Sequence, residues 1–284
     1  MSSKIILSAD STVDLGEALY NRYNVITVPL HVVLQDKSYE DLVNITPDEI
    51  YANFDSTGML PKTSAVNCQE YIDRFKPYVD DGYDVIHINI GSALSTSYNQ
   101  CCLAAKELGH IYPVDSCSLS TGSGLLVIEA AKRIAQGMSA EEVSKQVQSL
   151  TTKCHASFIV DKLNYLRAGG RCSALAALGA NLLNIRPRID VNNKDGSINV
   201  GKKYRGKFIK VLEDYVEEEL ARYDNINSER IFITHSGVDE EIYNRVYEIL
   251  KAKNYFKEIL ITRASCTISA HCGPGTLGIL FMTE

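Results

Sequence analysis

A chain of 284 residues is longer than one hydrophobic core usually grows, so two α/β domains in close contact are expected ahead of one large one. Hydrophobic content of 45% and charged content of 23% are ordinary for a globular protein. A net charge of -6 with scattered basic residues excludes the electrostatic footprint of a nucleic-acid binder.

The sequence runs from Met1 straight into the apolar strand "KIILSADST", with no basic leader and no small-residue cleavage site. A cytoplasmic protein is the expectation, and no apolar run reaches the roughly 18 residues of a membrane span. The eight cysteines fall at 68, 101, 102, 117, 154, 172, 266 and 272, with no CxxC pair and no zinc spacing. They are expected to be reduced thiols, most of them acting as small buried hydrophobes.

In chain order, apolar strands are predicted at Ile5 to Leu7, Val25 to Leu34, Val85 to Ile90 and Ile111 to Val114. Helices start between them. "TPDE" at Thr46 to Glu49 and "SAEE" at Ser139 to Glu142 read as capping boxes, the first with proline at the first helical position, and Asn67 with Glu70 follows the same logic. Alternation of this kind argues for a parallel sheet with helices on its faces, where ligands bind at the carboxyl ends of the strands.

From about residue 151 the pattern changes. "ASFIV" leads to a helix near Leu163 to Arg167, then "AGGR", then an almost wholly apolar helix through Ala174 to Ile185. Strands at Arg188 to Val191 and Ser197 to Val200 flank a tight turn at "NKDG". A helix of about Lys207 to Tyr223, a strand Ile231 to Thr234, a helix Glu240 to Lys253 and strands near Ile259 and Leu277 complete a second, mixed-sheet unit.

Chemistry is expected at four segments. "PKTSAVN" and "INIGSALSTSYNQ" cluster hydroxyls (Thr63, Ser64, Ser95, Thr96, Ser97) where an extended segment gives way to a helix, a place that suits an anionic head group. Simple N-capping is the alternative for either cluster. "GGRCS" sets Arg171 just before a helix, either as a carboxylate or phosphate ligand or as a structural loop arginine. "HCGPG" at 271 to 275 pairs His271 with Cys272, and its glycines, Gly273 first, suit close backbone approach to a ligand. Read as an extended segment, it points the two side chains to opposite sides, so they make a poor nucleophile and base.

Taken together, "LSADSTVDL", "KTSAVN", "IGSALSTSYN", "YPVDSCSLSTGSGLLV", "LNYLRAGGRCS", "LLNIRPRIDVNNKDGSI" and "HCGPGTLGILF" resemble, in order and spacing, the signature segments of the DegV family, the fatty acid-binding subunits of bacterial fatty acid kinases. The resemblance covers essentially the whole chain. It implies an α/β protein with an N-terminal three-layer parallel-sheet domain, residues 1–150, and a C-terminal two-layer mixed-sheet domain, residues 151–284. It further implies one long-chain fatty acid in a buried tunnel and no other cofactor or metal. The carboxylate would be presented to a separate ATP-using kinase subunit that makes the acyl phosphate for phospholipid synthesis, with transient contact to a membrane surface.

Carried over by motif, Thr63 and Ser95 match the carboxylate-binding hydroxyls, and Arg171 and His271 match basic residues near the head group. Arg205, in "KKYRGK", matches a surface arginine associated with the kinase partner or the acyl phosphate. The chain departs from the family pattern at "HCGPG", where a small hydroxyl often follows the histidine, at "IRPRI", and at "SAVN", which lacks a proline.

Two other classes remain open on the residues alone. One is a stand-alone enzyme, a hydrolase using Cys272 or a small-molecule kinase, against which stand the absence of G-x-x-x-x-G-K-[ST] and of a carboxylate cluster for Mg²⁺. The other is a carrier of a different apolar carboxylate.

Overall fold

The computed structural model describes residues 4–173 and 185–284. The expected apolar helix, Ala174 to Ile185, lies outside the described residues except for its last position, and Ile185 opens a strand instead. Strand β1 (Lys4–Asp10) leads through a 3-10 turn at Ser11–Val13 to helix α1 (Glu17–Tyr23) and strand β2 (Val25–Val28). The single strand expected over Val25 to Leu34 is broken. Pro29 has no N–H to give a ladder, and beyond it β3 (His31–Leu34) joins a different sheet, antiparallel to β4 (Lys37–Glu40) and β5 (Lys62–Ser64).

Helix α2 (Pro47–Thr57) fills the β4–β5 connection and α3 (Cys68–Asp80) follows β5. Both open on the predicted capping boxes, Thr46 with Glu49 and Asn67 with Glu70. Strands β6 (Tyr83–Asn89) and β7 (Ile111–Asp115), separated by α4 (Ser97–Leu108), complete an all-parallel sheet in the order β2-β1-β6-β7. Helices α3 and α4 cover one face through Phe75, Cys101 and Ala104. Helices α5 (Ser120–Ala135) and α6 (Ala140–Ser149) cover the other, α6 capped by Ser139 with Glu142 as expected. This is the three-layer arrangement the sequence implied.

Helix α5 is the shared layer of the molecule. Every residue from Ser120 to Ile128 is buried, and its apolar side chains join Leu7 and Ile86 of the parallel sheet to Phe232 and Leu280 of the second sheet in one core. Gly124 permits this approach, because a Cβ there would stand 2.7 Å from the Val13 carbonyl oxygen.

After a 3-10 turn at Thr151–Lys153, β8 (Cys154–Ile159), α7 (Leu163–Gly169), β9 (Ile185–Val191), β10 (Ile198–Arg205), α8 (Phe208–Leu220), β11 (Ile226–Ser236), α9 (Glu240–Ala252), β12 (Glu258–Arg263), α10 (Cys266–Cys272) and β13 (Thr276–Thr283) build the mixed sheet. Its order is β10-β9-β8-β13-β11-β12, with only the β11–β12 pair parallel. Helices α8 and α9 bury Leu212, Val216, Val246 and Leu250 on the face away from α5. Among the described residues no helix is long and apolar enough to cross a membrane. All eight cysteines are free thiols, six of them buried.

Helix α10 is the clearest departure from expectation, since the segment around His271 was read as extended. Its first turn is held by two buried carboxylates from the N-terminal half. Asp41 accepts from the N–H groups of Cys266 (2.7 Å) and Thr267 (3.2 Å) and from the Ser11 hydroxyl (2.9 Å). Asp14 accepts from the Ser265 N–H (2.8 Å) and the Ser120 hydroxyl (2.6 Å). Backbone donors at a helix start have no partners within the helix, and here side chains over two hundred residues away supply them.

Burial is the largest influence on Asp14 and pushes its carboxyl up to about 7, against the hydrogen bonds from Ser120 and Ser265, which lower it; nearby Asp41 adds to the rise. The unfolded chain releases this proton near pH 4 whereas the folded chain keeps it to about 7, so folding stability falls as pH rises through that window. The span is on the order of 4 kcal/mol, at 1.36 kcal/mol per pH unit. Denaturant titrations from pH 4 to 7 should therefore show Asp14→Asn losing less stability with rising pH than the wild type. Parallel stability profiles for the two proteins would contradict the assignment.

Candidate functional site

The site begins with the backbone that follows β1 and β6. At the end of β1, the fully buried Asp10 accepts from the Tyr71 hydroxyl (2.8 Å) and the Ile90 N–H (2.9 Å), and pairs with His87 Nε2 (3.0 Å). It thereby fixes the point where the chain leaves β6. Gly91 then donates to the Ser118 carbonyl (2.8 Å), where a Cβ would lie 3.0 Å from Ser118 backbone atoms. The loop from Ser92 to Thr96 is anchored from beneath.

This loop, strand β5, helix α10 and the end of α7 surround a cavity of about 280 Å³. It lies at the carboxyl end of the parallel sheet, where the strand pattern placed a ligand. Its rim is polar: Ser64, Ser92, Thr96 and Arg171 are exposed, and Thr63, Ser95 and His271 are half-buried. Its floor is aliphatic, built from buried Leu30, Ile90, Leu119, Leu166 and Ile268.

Thr63 Oγ1 and His271 Nε2 are 2.8 Å apart. His271 Nδ1 is buried without a hydrogen-bond partner among the described residues, and it faces Gly169, where a Cβ would stand 2.2 Å away. Burial, and secondarily the Arg171 charge, push the imidazole down to about 4. The ring is neutral at pH 7. An orphaned buried N–H is rarer than an orphaned acceptor, so the proton sits on Nε2 and is donated to Thr63 Oγ1. The Thr63 hydroxyl hydrogen is then free to point into the cavity.

Ser95 Oγ accepts from the Ser97 N–H (3.2 Å) and pairs with the Ser97 hydroxyl (2.9 Å). When Ser97 donates in that pair, the Ser95 O–H also remains available. Arg171 spans the mouth, donating from Nη1 to the Gly169 carbonyl (2.7 Å) and from Nε to the Leu94 carbonyl (3.3 Å). It forms no ion pair among the described residues, so its charge faces whatever enters.

Of the ten residues singled out in the sequence, Thr63, Ser64, Ser95, Thr96, Arg171, His271 and Cys272 thus line one cavity, and Ser97, Arg205 and Gly273 do not. Gly273 caps α10 at φ 73° and lies against the Tyr165 ring, 2.7 Å from where its Cβ would be. Arg205 is exposed at the far end of β10, roughly 23 Å along the strand from the cavity-lining Ile198 at about 3.3 Å per residue.

Cys272 follows His271 on a helix, where adjacent side chains diverge by about 100°, rather than on opposite sides of a strand. Burial pushes its thiol up to about 12. With the imidazole committed to Thr63, the two residues do not form a nucleophile and base. Thr267, absent from the sequence-derived set, also lines the cavity. Its place was hidden because Ser265, the N-cap whose hydroxyl accepts from the Ile268 N–H, was not read as a helix start.

The family model for the uncharacterised proteins of the DegV family matches residues 4–284. The chain belongs to the DegV family. A DegV domain-containing protein of Clostridium perfringens is 32% identical over 290 residues, covering 99% of this chain and 98% of that one. Among solved structures, a DegV family protein from Thermus thermophilus described for its fatty acid binding has a TM-score of 0.90 at 28% identity, covering 99% of this chain and 100% of the other. A Streptococcus pneumoniae fatty acid kinase B3 protein loaded with linoleic acid superposes with a TM-score of 0.84 at 22% identity over 99% of this chain and 100% of that one, a likeness of fold. The DegV architecture, a parallel sheet joined to a mixed sheet, is the one described above.

Gly169 offers a test of the site that leaves its hydrogen-bonding residues in place. It is a helical position at the end of α7, where alanine is conformationally favoured, yet a methyl group there would strike His271 Nδ1. Gly169→Ala should displace the ring, break its bond to Thr63 and weaken binding of an anionic ligand about tenfold, on the scale of one lost hydrogen bond to a charged group, with thermal stability little changed. Titration calorimetry alongside a melting curve separates the two effects, and unchanged affinity would refute the contact.

Proposed function

We propose that this DegV protein holds one long-chain fatty acid in the cavity, carboxylate at the rim and tail toward the floor, and presents that carboxylate to a separate ATP-using kinase subunit. The observation that carries the reading is the polarity gradient of one cavity, from Thr63, Ser95 and Arg171 at its mouth to Leu30, Ile90, Leu119 and Ile268 at its base. The fatty acid binding described for the Thermus relative supports it.

Energetically the tail does the holding. About a dozen buried methylenes are worth roughly 10 kcal/mol at 0.8 kcal/mol each, before the cost of ordering the chain. The hydroxyls and Arg171 need only orient the head. Thr63 and Ser95 donate to the carboxylate oxygens, and His271 acts through Thr63 by fixing the direction of its hydroxyl. In the transfer, a carboxylate oxygen attacks the terminal phosphorus of ATP supplied on the partner, the bond to ADP breaks, and the acyl phosphate forms with no proton taken from the acid. Arg171 stands where it balances the arriving phosphate charge. Arg205, remote from the cavity, belongs in this reading to the surface that meets the kinase.

Organic extraction of protein purified from a bacterial host, followed by mass spectrometry, should release about one fatty acid per chain. Ser95→Ala should weaken binding about tenfold or more, since a hydrogen bond to a charged group contributes about 1.5 to 3 kcal/mol, whereas Cys272→Ser should change neither binding nor kinase-coupled turnover. Carefully folded protein that yields no lipid would overturn the reading, and a Cys272→Ser variant that alone loses activity would favour a stand-alone hydrolase.

A further inference from the structure

The end of β10 carries cations that the fold does not pair. Lys202 and Lys210 are matched to Glu218 and Asp214 on α8, whereas Lys203, Arg205 and Lys207 are exposed and form no ion pair among the described residues. Residues 174–184, outside the described set, contain no aspartate or glutamate that could serve them. Lys203 and Arg205 lie two residues apart on one strand and so share a face, and Lys207 follows at the N-cap of α8.

Arg186 holds this end in shape. It sits opposite Tyr204 in the β9–β10 ladder. Its Nε donates to Asp161 (2.7 Å), just beyond β8, its Nη1 donates to the Gly206 carbonyl (2.6 Å), and its guanidinium lies 5.4 Å from the centre of the Phe208 ring. Gly206 turns the chain from β10 into α8 at φ 125°, a conformation that favours glycine. The carbonyl that Arg186 holds therefore lies between two of the unpaired cations. A lysine could reach one of these partners but could not brace both with a planar fork. The segment that supplies the arginine, "IRPRI", is one of the places where the chain departs from its family's pattern.

We propose that Lys203, Arg205 and Lys207 form a docking contact for an acidic surface of the kinase subunit, and that Arg186 is the positioning residue of that contact. Carboxylates complement three unpaired cations gathered at one strand end, and such a contact steers association and fixes register more than it adds affinity. Attraction to an anionic bilayer is diffuse and needs no fixed turn, so the brace favours a protein partner that reads geometry. This inference rests on the kinase reading above and names the chemistry of the surface the kinase brings.

The test measures acyl phosphate formation by the kinase subunit of the same organism, with palmitate-loaded full-length protein as the varied substrate. Arg186→Lys and Asp161→Asn, which loosen the brace from either end, should each raise KM for the loaded protein about threefold, on the scale of one exposed charge pair, with kcat and palmitate affinity unchanged. Added salt should raise the wild-type KM and narrow the gap. In a background combining Lys203→Ala, Arg205→Ala and Lys207→Ala, neither change should add to the loss, because all act through one contact. A wild-type KM in Arg186→Lys, an effect that persists in full without the three cations, or a loss carried by kcat would each overturn the proposal. The same variants losing affinity for phosphatidylglycerol vesicles while the kinase KM stays fixed would assign the cations to a membrane instead. Palmitate-loaded wild type that the kinase does not phosphorylate would sink the kinase reading, and the proposal with it.

Discussion

The site depends on how the first turn of α10 is buried. A short helix cannot stand on its own propensity, and the start of this one lies in the interior, where each unpaired N–H carries a desolvation cost. Asp41 and Asp14 meet that requirement from the opposite end of the chain. Once they do, His271 and Thr267 are placed on the face that lines the cavity, with His271 within reach of Thr63. The cost is borne by Asp14, which gives up its ordinary acidity by being buried beside a second carboxylate.

The same grip explains why the cavity needs both halves of the chain. Thr63 comes from the small antiparallel sheet and Ser95 from the loop after β6, while Arg171 and His271 come from the C-terminal half. The hydrogen bond between Thr63 and His271 crosses that division, and the α5 core binds the two sheets on either side of one helix. A ligand in the cavity is therefore enclosed by elements that meet only in the folded molecule.

Local signals were legible in the sequence, and long-range ones were not. The capping boxes at Thr46, Asn67 and Ser139 are written within four residues and appear as written. The Ser95 cluster could be placed at a ligand-binding edge because it follows β6 of the parallel sheet, whose strand-to-helix junctions gather at one edge, whereas Thr63 on the antiparallel β5 and Arg171 and His271 in the C-terminal half were joined to it only by the resemblance to the DegV family. Pro29 shows the limit of reading by hydrophobicity, since an apolar run of ten residues became two strands in two sheets. Helix α10 shows the limit of reading by period: its caps, Asp14 and Asp41, are separated from it by 251 and 225 residues. Gly273 was tied to the ligand through its backbone freedom, yet it serves the Tyr165 ring and the helix end, while Arg205, matched to a surface arginine, is exposed. Conversely, the glycine that matters to the imidazole, Gly169, lies in a helix where sequence gives no sign of a close approach.

The central claim is the direction of the ligand, with the head at Thr63 and His271 and the tail toward Leu119 and Ile268. Magnetisation transfer in solution, with a fatty acid carbon-13 labelled at the methylene beside the carboxyl group and, separately, at the terminal methyl, reads that direction without perturbing the protein. The account predicts contacts from the labelled methylene to the side-chain protons of Thr63 and His271, and none from the terminal methyl to Ser92 or Arg171. Contacts from the labelled methylene to Leu119 and Ile268, with the terminal methyl at the rim, would contradict it.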